Sequence, residues 1–157
     1  MISRTAKPLI VMVMISCVFT LSEARDVAFN RKNLMAKSWM LDNVQLDSQK
    51  LRHDTKDVPY FSMIELRQSG QIHFFSALTN CKTGRWQLQG KTVMLSLTAK
   101  DDATFKKTTL KFTRNYMGTR ESHFHKGKFL QQLILEGKYK NTPIKYTFTE
   151  FEGMGGS

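Results

Sequence analysis

Cysteine is nearly absent from this chain, which holds two, Cys17 and Cys81, in 157 residues. If Cys17 leaves with a cleaved leader, Cys81 stands alone and an internal disulfide is excluded. A chain of this length can bury a core without such staples. No Cys/His motif surrounds Cys81, so it reads as a structural thiol rather than a nucleophile. A membrane-spanning run is also missing: Pro8–Leu21 supplies 14 uncharged residues, whereas a helix needs about 20 to cross a bilayer. Neither a Ser/His/Asp arrangement nor a phosphate-cradling glycine loop is found, so nothing here calls for an enzyme or a cofactor. Acidic residues are scarce, 13 against 24 lysines and arginines, for a net charge of +11. That imbalance favours anionic partners such as lipid head groups, lipopolysaccharide or acidic glycans.

The chain opens with Arg4 and Lys7, continues with the apolar run Pro8–Leu21 and reaches Ser22-Glu23-Ala24. This is the three-part layout of a secretory signal, with small residues where a signal peptidase cuts. The expected organisation is a cleaved signal at 1–24, one domain at 25–152 and a short tail at 153–157. The expected location is secreted or periplasmic, where nucleic acid is not an expected partner. Met14-Ile15-Ser16-Cys17 offers an alternative, lipid anchoring through Cys17. Cleavage after Ala24 removes two positive charges and one negative, leaving +10 of the +11.

Asp26 is placed to cap a short helix from Val27 to about Ala36, with Val27, Leu34 and Met35 as core contacts. From Ser38 onward the hydrophobic period changes to two. Eight strands are predicted, at about 38–45, 60–67, 71–77, 82–88, 91–98, 105–114, 128–139 and 143–151. Two hairpins can be checked for parity. A Gln68-Ser69-Gly70 loop pairs Leu66 with Ile72 and Ile64 with Phe74 on one face, leaving Glu65, Arg67, Gln71 and His73 on the other. A Gln89-Gly90 loop places Trp86 opposite Val93, Gly84 opposite Leu95 and Lys82 opposite Leu97. Trp86, Leu88, Val93, Leu95 and Leu97 then share a face. Short strands joined by short turns predict an all-β fold, an eight-stranded antiparallel up-and-down barrel with a short N-terminal helix, with a β-sandwich as the competitor.

The segment Leu34-Met35-Ala36-Lys37-Ser38-Trp39-Met40-Leu41 resembles the start of lipocalin-like families, in which a short helix leads into the first strand and a tryptophan packs across the barrel floor. Ile64–Phe74 and then Thr83-Gly84-Arg85-Trp86, up to Leu95, look like the strand and glycine-turn run of small bacterial exported lipocalin-like domains. Asn80-Cys81 before Gly84-Arg85-Trp86 is also similar to the META-type heat-shock lipoprotein domain. The lipocalin resemblance implies binding of a small hydrophobic or amphipathic ligand rather than catalysis, and Trp39 as the structural floor.

The candidate lumen wall is Ile64, Leu66, Ile72, Phe74, Trp86, Val93, Leu95 and Phe112. The aromatic set Phe61, Phe74, Phe75, Trp86, Phe112, Phe129, Tyr146 and Phe148 either lines an apolar pocket or fills the barrel outright. His123 and His125 stand at i and i+2 and are candidate metal ligands, short of the three or four donors a site needs. Two functions follow from this reading. One is a monomeric binding protein with a lumenal ligand. The other is a surface-acting interaction or inhibitor protein of the envelope, with a filled barrel and an anionic partner.

Overall fold

A computed structural model describes residues 27–52, 58–76, 79–98 and 108–151. The expected signal with Cys17, Asp26, residues 53–57 and 99–107, the expected tail at 153–157 and the Cys81 side chain lie outside the described residues.

Helix α1 (Arg31–Met35) is shorter than expected and is capped by Asn30, whose side chain accepts from the Asn33 amide at 2.9 Å. Val27 is not helical but forms an extended bridge to Met117, a role suited to a β-branched residue. Nine strands follow: β1 (Ser38–Leu46), β2 (Gln49–Lys50), β3 (Met63–Leu66), β4 (Gln71–Ser76), β5 (Thr79–Gln89), β6 (Thr92–Leu97), β7 (Thr108–Glu121), β8 (Phe129–Tyr139) and β9 (Thr142–Glu150). Each pairs antiparallel with its neighbour, and β1 pairs with both β3 and β9. The result is a closed eight-stranded up-and-down barrel, with two-residue β2 added to the end of β1. Closure leaves no long edge to recruit another chain. Strand direction places α1 and the β3–β4, β5–β6 and β7–β8 connections at one end, called here the helix end. The β8–β9 turn and the β1–β2 turn lie at the far end.

The first hairpin has the expected register, Leu66 opposite Ile72 and Ile64 opposite Phe74, with Gly70 at φ +77°. The second differs from expectation. Its loop is Gly90-Lys91, so Trp86 faces Leu95 and Gly84 faces Leu97. A Gln89-Gly90 loop would force a glutamine into the left-handed region, whereas glycine takes φ +58° at the first loop position freely. The displacement is an even number of residues, so the expected faces survive.

Three strand limits also move. β3 starts at Met63 rather than 60, because the Val58–Ser62 segment turns in over the barrel. β5 starts earlier, at Thr79. β7 runs on to Glu121, past a bulge between Phe112 and Arg114. That bulge breaks the ladder, and buried Asn115 repairs it. Its amide donates to the carbonyls of Phe112 (2.8 Å) and Lys91 (2.6 Å), and its oxygen accepts from the Glu136 amide (3.3 Å). A buried backbone group left unpaired there would be costly.

Candidate functional site

All eight expected wall residues point inward and belong to one core. Ile64, Ile72, Phe74, Val93 and Phe112 are fully buried, and Leu66, Trp86 and Leu95 are at most 3% exposed. They touch further side chains from the opposite wall. Phe61 lies 5.7 Å from Phe74 edge-on and 5.4 Å from Tyr146, and Tyr146 packs 5.7 Å from Phe112 and 6.0 Å from Phe148, centroid to centroid. Phe75 and Phe129, grouped with this set on aromatic character, do not join it. Phe75 is half-buried at the β4 bulge and Phe129 is exposed.

Both ends are stoppered. At the helix end Trp39 is fully buried and its Nε1 donates to the Leu34 carbonyl at 2.9 Å. Trp86 Nε1 donates to the Arg67 carbonyl at 2.8 Å, and the Arg31 guanidinium lies 4.7 Å over the Trp86 ring. At the far end Val58 and Phe61 are inserted, and the buried Tyr146 hydroxyl donates to the Pro59 carbonyl at 2.7 Å. Burial, with Tyr139 nearby, pushes the Tyr146 hydroxyl well above its ordinary value of 10.0. The Val58–Phe61 plug is the part of the interior that strand periodicity does not reveal. The one sequence signal is Pro59, which cannot donate within a strand ladder.

Among the described residues two large recesses stand out, and both open to solvent. One, about 600 Å³, lies between α1 and the β3–β4 turn, with Lys32, Lys37, Glu65 and Arg67 around it. Glu65 faces outward as its parity requires, accepting from Ser38 Oγ at 3.0 Å and pairing with Arg67 at 3.4 Å. Lys37 is ion-paired with Glu150, and partial burial pulls it below the usual lysine range.

The other recess, about 780 Å³, crosses the outside of the barrel towards the far end, over β7, β8, β9 and β1. Lys111, Arg114, Glu136, Lys138 and Lys145 line it, with Gln45 at its edge. Lys145 bonds Glu136 at 3.0 Å, and that bond holds its ammonium above the ordinary lysine value against the effect of burial. Lys111 and Lys138 sit directly opposite each other in the β7–β8 ladder. Neither has an ion-pair partner among the described residues. Like charges facing across a strand pair are destabilising. This feature was missed from sequence because four cations on three strands converge only once the register is known.

His123 and His125 are exposed on the β7–β8 loop. Among the described residues no group of three or more metal-ligating side chains gathers around them or elsewhere. No described helix is long and apolar enough to cross a membrane. No protein-family model, curated protein or solved structure matches this chain.

Proposed function

We propose that this is an exported binding protein of the cell envelope, acting from the outside of a filled, lipocalin-like barrel on an anionic partner. The observation that carries this reading is the Lys111–Lys138 pair. Two lysines are paired directly across the strands and both line a solvent-open recess, with Lys145 and Arg114 beside them and Glu136 as the lining carboxylate. A bound sulfate, phosphate or carboxylate group would relieve that repulsion, and charge-assisted bonds of this kind are the stronger ones.

The architecture also suggests the lumenal reading, since eight-stranded barrels can hold one small ligand. Against it stands the occupancy of the interior. A hydrophobic or amphipathic guest would have to displace Phe61, Phe74, Phe112 or Tyr146 from contacts they already make with one another. Close-packed interiors resist such insertion.

Titration with a sulfated oligosaccharide at rising ionic strength tests the surface reading. Affinity is expected to fall by about tenfold or more as salt shortens the reach of the recess charges. Lys138→Gln is expected to weaken binding several-fold while raising thermal stability, because the facing repulsion is gone. Binding indifferent to salt and to this substitution would remove the basis of the proposal.

A further inference from the structure

Of the five exposed large apolar side chains among the described residues, Tyr116 (48%) lies midway along β7 opposite Ile134, and the other four are gathered. Met40, Phe124, Phe129 and Phe151 are 42%, 84%, 52% and 46% exposed. Met40 lies early in β1, Phe124 and Phe129 bound the β7–β8 connection, and Phe151 follows β9, so all four belong to the helix end. Arg31, Lys32, Arg67, Lys126 and Lys128 are exposed at the same end. The cationic recess lies towards the opposite end.

The β7–β8 loop is built to present its tip. Ser122 Oγ accepts from the amides of Phe124 (3.1 Å) and His125 (3.2 Å), and Glu121 accepts from the Gly127 amide (2.7 Å). The Ser122 amide donates to the Lys128 carbonyl at 2.7 Å, closing the loop at its base. Below the loop, Arg120 pairs with Asp42 of β1 at 3.2 Å and ties the β7–β8 ribbon to the barrel. An ordered loop that keeps a phenylalanine 84% exposed loses the benefit of burying it. That loss is recovered where the surroundings are apolar.

We infer that the helix end is a docking face for an anionic lipid bilayer, with Phe124 inserted at the level of the head groups and Phe129 beside it. Lys126 and Lys128, exposed between the two phenylalanines in the chain, pair with lipid phosphates, the mix of aromatic and basic residues that favours a charged membrane interface. The barrel wall itself is charged outside and apolar inside, the inverse of a membrane-spanning barrel, so contact is confined to this end. Docking in this orientation leaves the anion recess facing away from the bilayer.

The test places a reporter at the tip. Phe124→Trp puts an indole in an exposed position, while the native Trp39 and Trp86 are buried and contribute a steady background. With vesicles of phosphatidylcholine containing phosphatidylglycerol, the emission attributable to position 124 is expected to shift to the blue and to be quenched by brominated acyl chains. Phosphatidylcholine alone is expected to give a much weaker response. Lys126→Glu with Lys128→Glu is expected to reduce vesicle affinity by about fivefold per charge, and Phe124→Ser by about tenfold. Lys111→Glu with Lys138→Glu, which abolishes oligosaccharide binding on the preceding proposal, is expected to leave vesicle affinity unchanged, so the two proposals fail separately. No shift at position 124 with any vesicle overturns the inference. A shift produced by an acidic peptide or glycan but not by vesicles overturns it too, in favour of a macromolecular partner.

Discussion

Two glycines show how much a single hydrogen in place of a methyl group decides. Gly84, within the Thr-Gly-x-Trp run, sits where strands approach so closely that a Cβ would collide with the Ser96 carbonyl and crowd Ile72 and Leu97. Gly118 lies in β7 with open space where its Cβ would be. Gly84→Ala is therefore expected to lower stability by about 2 kcal/mol, the usual scale of overpacking in a core. Gly118→Ala should stay within about 0.5 kcal/mol of the parent, as open surface positions do. Denaturant unfolding of both variants checks the pair, and equal effects would contradict the close approach at Gly84. This motif was legible in the sequence as a pattern. Its cause was not, because the colliding atom belongs to the carbonyl of a residue twelve positions away.

At the scale of elements, alternation of apolar and polar residues made the strands readable wherever the ladder is regular. The β3–β4 hairpin is the clearest case, since Gly70 sets the loop and parity sets the rest. Legibility failed at interruptions. The β7 bulge shifts parity between Phe112 and Asn115, so the strand reads as ending near 114 although it continues to Glu121. Tyr60 to Ser62 read as the start of a strand because Tyr60 and Phe61 are apolar, yet they belong to the Val58–Ser62 plug, held where the Tyr146 hydroxyl donates to the Pro59 carbonyl. Because folding raises the Tyr146 pKa, this hydroxyl contributes stability that is complete below about pH 10 and is lost as pH rises towards the folded value. Tyr146→Phe is expected to cost about 1–2 kcal/mol at neutral pH by leaving the Pro59 carbonyl unpaired. That deficit should narrow above about pH 10, where only the parent has a buried phenol to ionise. Unfolding free energies across pH 7 to about 11 measure both limbs, and a constant difference would mean that Tyr146 is not the group being titrated.

For the molecule as a whole, the closed barrel with its short helix was readable from strand count and turn spacing. The residues expected to form the wall do converge. What the sequence does not state is whether a wall encloses space, because that depends on how far side chains from opposite strands reach. Here Phe61, Phe112 and Tyr146 meet in the middle, which is the ground for proposing that the outside carries the function. The net positive charge, which composition gives without a location, becomes directional once strands are placed, with a cationic recess towards one end and aromatic tips among cations at the other.

The central claim, a filled barrel acting through its outer recess, is tested most directly by NMR chemical-shift mapping. The probe is a single-chain alkyl phosphate held below its micelle concentration, which carries both an anionic head and an apolar tail. The account predicts perturbed amides at Lys111, Arg114, Lys138 and Lys145, fading with added salt, and none among the interior residues. Perturbations centred on Ile64, Phe74, Trp86 and Leu95 instead, insensitive to salt, would show the tail inside the barrel and contradict it.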